Sequence, residues 1–187
     1  MTTSFFHYLG PTSKEEALFL LARHGSSNLQ VVAGGTDVMV RIKQGLLRPG
    51  YVMSLKNVAD LSGITVEQNR VVIGGATTLR EIALSECMGP FEGVVEAACA
   101  VAAPPIRNVA TLGGNILQET RCLRYNQSDL VRKGMTPCFK MGGTVCNVVP
   151  GSRRCLSVYQ GDIAPALLAC GASVRLETTG SSRTIPM

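Results

Sequence analysis

The chain has 187 residues, of which 45% are hydrophobic and only 17% charged, with a formal net charge of +5. It is apolar enough to bury a core, which excludes wholesale disorder, and no apolar run approaches the roughly 18 residues of a membrane span. The opening MTTSFFHYLGPTSKEE has no basic leader and no apolar stretch long enough for a signal peptide, which predicts a cytoplasmic protein.

Ser13 followed by Glu16 predicts a capping box opening a helix, with Ala17, Leu18, Leu20, Leu21 and Ala22 as its apolar stripe and Gly25 as its stop. LQVVA (29–33) reads as a strand that runs directly into Gly34-Gly35-Thr36-Asp37. A short helix over 38–43 and a strand over 51–55 complete a first α/β unit, residues 1–56. Residues 57–187 form the second unit. It opens with a hairpin, 64–67 and 71–73, around Gln68-Asn69-Arg70. Thr78 with Glu81 supplies a second capping box for a helix to about residue 85. FEGVVEAACAVA (91–102) predicts a helix stopped by Pro104-Pro105, and 106–115 an extended run breaking at paired glycines. Residues 120–158 show no period of helix or strand, a length that compact domains rarely leave unorganised. After them, 163–170 reads as a short helix with Gly171 as its C-cap and 173–177 as a strand. The chain runs out in SSRTIPM, which reads as an open end and predicts a longer natural polypeptide.

Four paired glycines occur, none inside GxGxxG or GxxxxGK[ST], so neither a dinucleotide fingerprint of that kind nor a P-loop is supported. AGGTD (33–37) and LGGN (112–115) share a context: each follows an apolar run and ends in a short polar residue. Glycines at such turns let successive N–H groups surround an anion, and two such nests suit a pyrophosphate; ordinary tight turns and C-caps use the same residues. No Ser/His/Asp or paired-carboxylate arrangement can be argued, and His7 and His24 have no partner pattern, so no catalytic residue is assigned.

Seven cysteines are too many for a cytoplasmic chain with no disulfide framework. Four of them, Cys122, Cys138, Cys146 and Cys155, fall within 34 residues at spacing C-x15-C-x7-C-x8-C. That spacing matches neither a zinc knuckle nor a small ferredoxin, and it leaves free thiols, zinc and a 4Fe–4S core open. Turn residues before Cys138, Cys146 and Cys155 would let backbone N–H groups face sulfur. Residues 121–155 hold seven basic residues against one acid, a net +6, so the rest of the chain nets −1 of the total +5. The excess therefore speaks for local compensation of an anionic centre, or a solvated loop, more than for a nucleic-acid partner. Cys87, Cys99 and Cys170 lie in apolar helical contexts and are expected to be buried packing residues.

AGGTD (33–37), ATTLREI (76–82), IRNVATLGGNI (106–116) and GDIAPALLACGA (161–172) resemble the FAD-binding medium subunit of the molybdenum hydroxylase family (xanthine dehydrogenase and CO dehydrogenase), in the family's order. The segment 122–155 is similar to the extra loop of the 4-hydroxybenzoyl-CoA reductase branch (its beta subunit), which holds a 4Fe–4S cluster. The resemblance implies an α+β, vanillyl-alcohol-oxidase-type (PCMH-type) fold of two α/β subdomains with an inserted iron–sulfur loop over about 120–158. FAD would stretch between the subdomains, its pyrophosphate held by backbone amides of Val32, Ala33, Gly34, Gly35, Thr36, Asp37 and Val38 and of Thr111, Leu112, Gly113, Gly114 and Asn115. Asp162 would accept a hydrogen bond from the adenosine half, and Cys122, Cys138, Cys146 and Cys155 would be the iron ligands. The family continues with a C-terminal domain over the isoalloxazine, absent from these residues. The resemblance further implies a large molybdopterin-binding subunit, a small 2Fe–2S subunit, a dimer of such heterotrimers and a ferredoxin-like electron donor or acceptor. The implied activity is electron transfer for reductive dehydroxylation of 4-hydroxybenzoyl-CoA or a related aromatic. Rival readings are a medium subunit serving a purine, aldehyde or N-heterocycle, and a non-catalytic zinc-binding interaction module.

Overall fold

A computed structural model of the protein describes residues 5–187; residues 1–4, the start of the stretch read as leader-free, lie outside them. The first unit holds β1 (His7–Leu9), α1 (Lys14–His24), β2 (Leu29–Val32), α2 (Val38–Lys43) and β3 (Tyr51–Ser54). Its three strands are parallel in the order β1-β3-β2, with Tyr51 opposite both His7 and Leu29. Parallel strands need crossover helices, and α1 lays Ala17 against Leu29 and Met53 to make a small core of its own. Ser13 Oγ caps α1 by accepting from Glu16 N at 3.1 Å, but the Glu16 carboxylate turns to Thr12 N (2.9 Å), so only half of the expected box forms.

The second unit packs around a larger core of Leu79, Ile82, Met88, Val94, Ala98, Leu112, Ile163 and Leu167. It comprises the hairpin β4 (Ile64–Glu67) and β5 (Arg70–Ile73), then α3 (Leu79–Leu84), α4 (Glu92–Ala100), α5 (Pro104–Arg107) and α6 (Leu112–Ile116). After the cysteine-rich segment, with its short α7 (Asp129–Lys133), come α8 (Ala164–Ala169), β6 (Ser173–Thr178) and β7 (Ser181–Pro186). The Thr78–Glu81 capping box is complete, with both reciprocal bonds present. Arg70 joins its strand instead of the turn, where it pairs with Glu67.

Three expectations are corrected. Residues 106–115 are not extended: Pro104 begins a helix, because a first-turn proline lacks only an N–H that helix starts leave unbonded, and Thr111 caps the next. SSRTIPM does not trail unpaired from the last strand: Ser181–Pro186 is β7, which pairs with β6 in register from Thr178–Ser181 to Ser173–Pro186. Cys87, Cys99 and Cys170 are exposed. In α4 the buried face runs through Val94 and Ala98, so Cys99, about 100° further round, points outward. Among the described residues no helix is long and apolar enough to cross a membrane.

Candidate functional site

β2 ends at the carboxyl edge of the parallel sheet, where open α/β sheets place their ligands, and the AGGTD turn begins there. Val32 closes the strand; Ala33 to Asp37 form the turn; Val38 opens α2. Gly35 has φ +75°, a conformation that favours glycine, and its carbonyl accepts from Met39 N. Gly34 must lack a side chain for another reason: a Cβ there would sit 1.9 Å from the carbonyl oxygen of Val109, just before the second glycine turn. Among the described residues, the N–H groups of Gly34, Gly35, Thr36 and Asp37 donate to no protein acceptor. Four successive open amides are the donor set that an anion-binding nest requires.

The second turn is built differently. Leu112 N donates to Thr77 O, Gly113 N to Gly75 O (2.8 Å), Gly114 N to Thr111 Oγ1 (3.2 Å) and Asn115 N to Thr111 O. Thr77 and Gly75 thus take up the amides of Leu112 and Gly113, and the helical cap at Thr111 those of Gly114 and Asn115, so these four expected donors already have protein partners. Leu112 is core. Gly114 and Asn115 still face the ligand space, and Asn115 Oδ1 accepts from Ile163 N, tying the 161–163 turn to α6.

Both turns open onto one cavity of about 630 Å³, within the usual range for small-molecule and cofactor pockets. Of the expected residues, Thr36, Asp37, Gly114, Asn115 and Asp162 line it. Sequence reasoning missed the rest of the wall, which includes Val101, Ala102, Ile106, Gln118, Arg121 and Tyr159. Tyr159 enters because Gly161 makes room, the phenolic oxygen lying 2.0 Å from where a Cβ would be, and that hydroxyl donates to Ile116 O. Burial, with the Asp162 charge second, holds the Tyr159 phenol above the ordinary tyrosine range. A smaller groove of about 470 Å³ lies elsewhere, between α1 and the β6–β7 hairpin, beside the Lys14–Glu177 ion pair.

The cysteine-rich segment is organised by ion pairs and two main-chain bridges. Arg121 and Val158 exchange bonds of 2.7 and 3.0 Å, and Cys138 pairs with Val145. Cys122 thus follows one bridge, with Cys155 three residues ahead of its partner strand's Val158, while Cys138 and Cys146 flank the other. Gly143 permits the inner turn, where a Cβ would meet Pro137 O at 1.8 Å. Hydrogen bonds from the backbone N–H groups of Val149, Val148 and Leu156 hold the Cys146 thiol below its ordinary range, the expected contact of amides with sulfur. Among the described residues, no three His, Cys, Asp or Glu side chains converge on a single ion, so zinc bound by the four thiols is not what this conformation offers.

The local charge is also corrected. Arg121 pairs with Asp37, Lys140 with Glu119, and Lys133 with Asp129 at 3.0 Å, while Arg132 donates to Gly45 O at 2.9 Å. Two units of the +6 are thus met by carboxylates outside the counted segment, Asp37 and Glu119; Asp129 already stands in the count. Arg124, Arg153 and Arg154 remain exposed.

A crossover-built parallel sheet, a run of open amides at its carboxyl edge and a cavity lined from both units define the class: a mixed α/β domain with a cofactor-sized cavity. The chain belongs to the family described as "FAD binding domain in molybdopterin dehydrogenase", whose pattern matches residues 4–187. It is 37% identical over 114 residues to the xanthine dehydrogenase FAD-binding subunit of Escherichia coli O157:H7, covering 60% of this chain and 38% of that one. With the nicotinate dehydrogenase FAD-subunit of Eubacterium barkeri it shares 32% over 112 residues, 59% of this chain and 38% of the relative. In structure it is similar to a chain of reconstituted CO dehydrogenase from Oligotropha carboxidovorans, with TM-score 0.70 and 26% identity over all of this chain and 52% of the other. The chain therefore spans under two fifths of the length of these curated relatives.

Proposed function

We propose that the chain is the FAD-binding part of an electron-transfer subunit of a molybdenum-containing oxidoreductase. The observation that supports this best is the run of four open amides from Gly34 to Asp37, the last two residues of which line the shared cavity. Bound FAD supplies one- and two-electron exchange. The chain's own residues would bind and orient it: the open amides would face the diphosphate, Val101, Ala102, Ile106 and Ala110 would offer an apolar wall to a ring system, and Asp162 would accept a hydrogen bond from the adenosine half. No residue acts as acid, base or nucleophile. A large molybdopterin-binding subunit and a small 2Fe–2S subunit complete the assembly.

The cysteine-rich segment supports the narrower reading of a 4Fe–4S cluster on Cys122, Cys138, Cys146 and Cys155. A cluster spreads its thiolates over four irons, so it does not require three sulfurs to meet at one ion. The amide-stabilised Cys146 and the glycine-tight turn at Gly143 suit thiolate ligation. Such a cluster would supply single-electron exchange, and with it the chain would serve a reductase that removes a ring hydroxyl from an aromatic acyl-CoA. The named relatives point instead to nicotinate or xanthine as substrate classes for the same architecture.

Anaerobically purified chain, reconstituted with FAD, iron and sulfide, should hold about one FAD and four irons. Cys138→Ser should abolish the cluster's EPR signal and leave the flavin absorption in place. Loss of flavin alone would leave the cluster reading standing and remove the first; a colourless protein with one zinc would remove both.

A further inference from the structure

The cavity has an electrostatic problem. Its lining includes two carboxylates, Asp37 and Asp162, and one cation, Arg121. A dinucleotide diphosphate brings about two further negative charges, and at low dielectric like charges a few ångströms apart repel strongly. Open amides help, but Asp37 belongs to the same turn that presents them.

Arg121 is placed to resolve this. It comes from the first residue of the cysteine-rich segment, 84 residues away in sequence, and its Nη2 contacts Asp37 Oδ1. Its backbone is fixed by the two-way bridge to Val158, and Val158, Tyr159 and Gln160 continue along the same wall. Asp37 makes no capping bond to α2, so its carboxylate is free to aim this guanidinium. Arg41 approaches Asp37 from the other side, at 3.9 Å, which leaves the carboxylate compensated if Arg121 turns part of its donor fork toward a ligand. A guanidinium has five N–H donors, and the contact with Asp37 uses one nitrogen.

We propose that Arg121 is a diphosphate-binding residue of the dinucleotide cavity, contributed by the cysteine-rich segment and aimed by Asp37. This rests on the reading of the cavity as a dinucleotide site. It assigns the segment a task in flavin binding that does not depend on what its cysteines hold: the turn that bears the amides and the segment that bears the cation meet on one ligand.

The test titrates the full chain with FAD, with ADP as the flavin-free half, and with adenosine as the diphosphate-free control. Wild type should bind FAD and ADP. Arg121→Gln should weaken both about tenfold, as loss of a hydrogen bond to a charged group predicts, and leave adenosine unchanged. Arg121→Lys, which keeps the charge without the fork, should recover part of the loss. The salt dependence of ADP binding should be shallower in Arg121→Gln, a change that mere loosening of the wall does not produce. Wild type that binds neither FAD nor ADP overturns the dinucleotide reading and the proposal with it. Wild-type binding matched by Arg121→Gln, or an adenosine loss equal to that of ADP, overturns the proposal alone.

Discussion

The two glycine turns, 33–37 and 111–115, look alike in sequence and use their glycines in opposite ways. In the first, Gly34 lets the turn press onto the backbone at Val109, and the amides from Gly34 to Asp37 stay open. In the second, Thr111 caps a short helix whose first amides all have protein partners, with Gly113 seated against the Gly75 carbonyl. One turn exposes its donors to a ligand; the other consumes them to fix the wall that the ligand meets. A glycine pair thus reports close approach, and whether backbone or ligand does the approaching depends on the hydrogen-bond ledger around it.

The sharpest way to break this comparison is to add one methyl group to each turn. In Gly34→Ala the new carbon would lie 1.9 Å from Val109 O, and backbone on both sides must move. A loss of about 3 kcal/mol is expected, the upper end of overpacking costs. For a chain of this size that corresponds to a fall in Tm of roughly 6–12 °C. Gly113→Ala meets Gly75 O at a milder 2.8 Å and gains helix propensity in partial return, so its cost should be about 1 kcal/mol. Thermal unfolding of the two variants checks the order. Equal losses would mean that the two glycines do the same job.

Much of this was legible beforehand where the signal was local. The short helix over 38–43, the strands flanking it and the Thr78–Glu81 box emerge as read, because apolar period and cap chemistry act within a few residues. The glycines of the first turn foreshadow its open amides. The hydrogen bonding of the second could not be read, because the motif carries no mark of its partners: Thr77 and Gly75, which take up two of its amides, lie over thirty residues upstream. Arg121 was visible only as one unit of a charge excess, since its partner Asp37 is in the other half of the chain. Ala102, Tyr159 and Gln118 gave no signal at all, as nothing in a stretch of small or polar residues says which will face a cavity assembled from distant segments. The expectation for Cys87, Cys99 and Cys170 failed for a simpler reason: composition places a residue in a helix, and only phase decides its face.

A smaller effect sharpens the comparison from the second turn's side. Ala102, on the cavity wall just before α5, has φ +45°, and Arg107 Nη1 donates to the carbonyls of Val101 (2.8 Å) and Ala102 (3.1 Å) to hold it there. The left-handed region costs a non-glycine residue about 1–2 kcal/mol. Ala102→Gly should therefore stabilise by about 0.5–1 kcal/mol after the added freedom of the unfolded chain is subtracted. The expected result is a higher urea midpoint with an unchanged slope. An unchanged or lower midpoint would show that the wall on this side is unstrained, and that only the first turn holds backbone in a costly conformation.

The last difference is one of forces, and acid should separate them. The first turn is bound to its surroundings by charge: Asp37 to Arg121, then Arg41 to Glu119 at 3.5 Å and Glu119 to Lys140, which also donates to Thr120 O. The second turn rests on neutral main-chain bonds. The hydrogen bond from Lys140, with the nearby Lys140 and Arg41 charges, holds the Glu119 carboxyl below the ordinary glutamate range. A carboxyl depressed in the folded state contributes its stabilisation fully above the unfolded value, about pH 4.3, and loses it as pH falls through the depressed one. The contribution is small, because Glu119 is partly exposed and solvent screens the pair. Below pH 4, then, the clasp between the cysteine-rich segment and α2 should open before the second turn does. Pepsin digestion at pH 5 and at pH 3 should show cleavage moving first into 120–158, with 106–116 protected in both. Glu119→Gln should lose that pH step and be cut in the segment equally at the two pH values. A step of the same size in the variant would place the acid sensitivity in some other carboxylate and leave the charge-held first turn without its clasp.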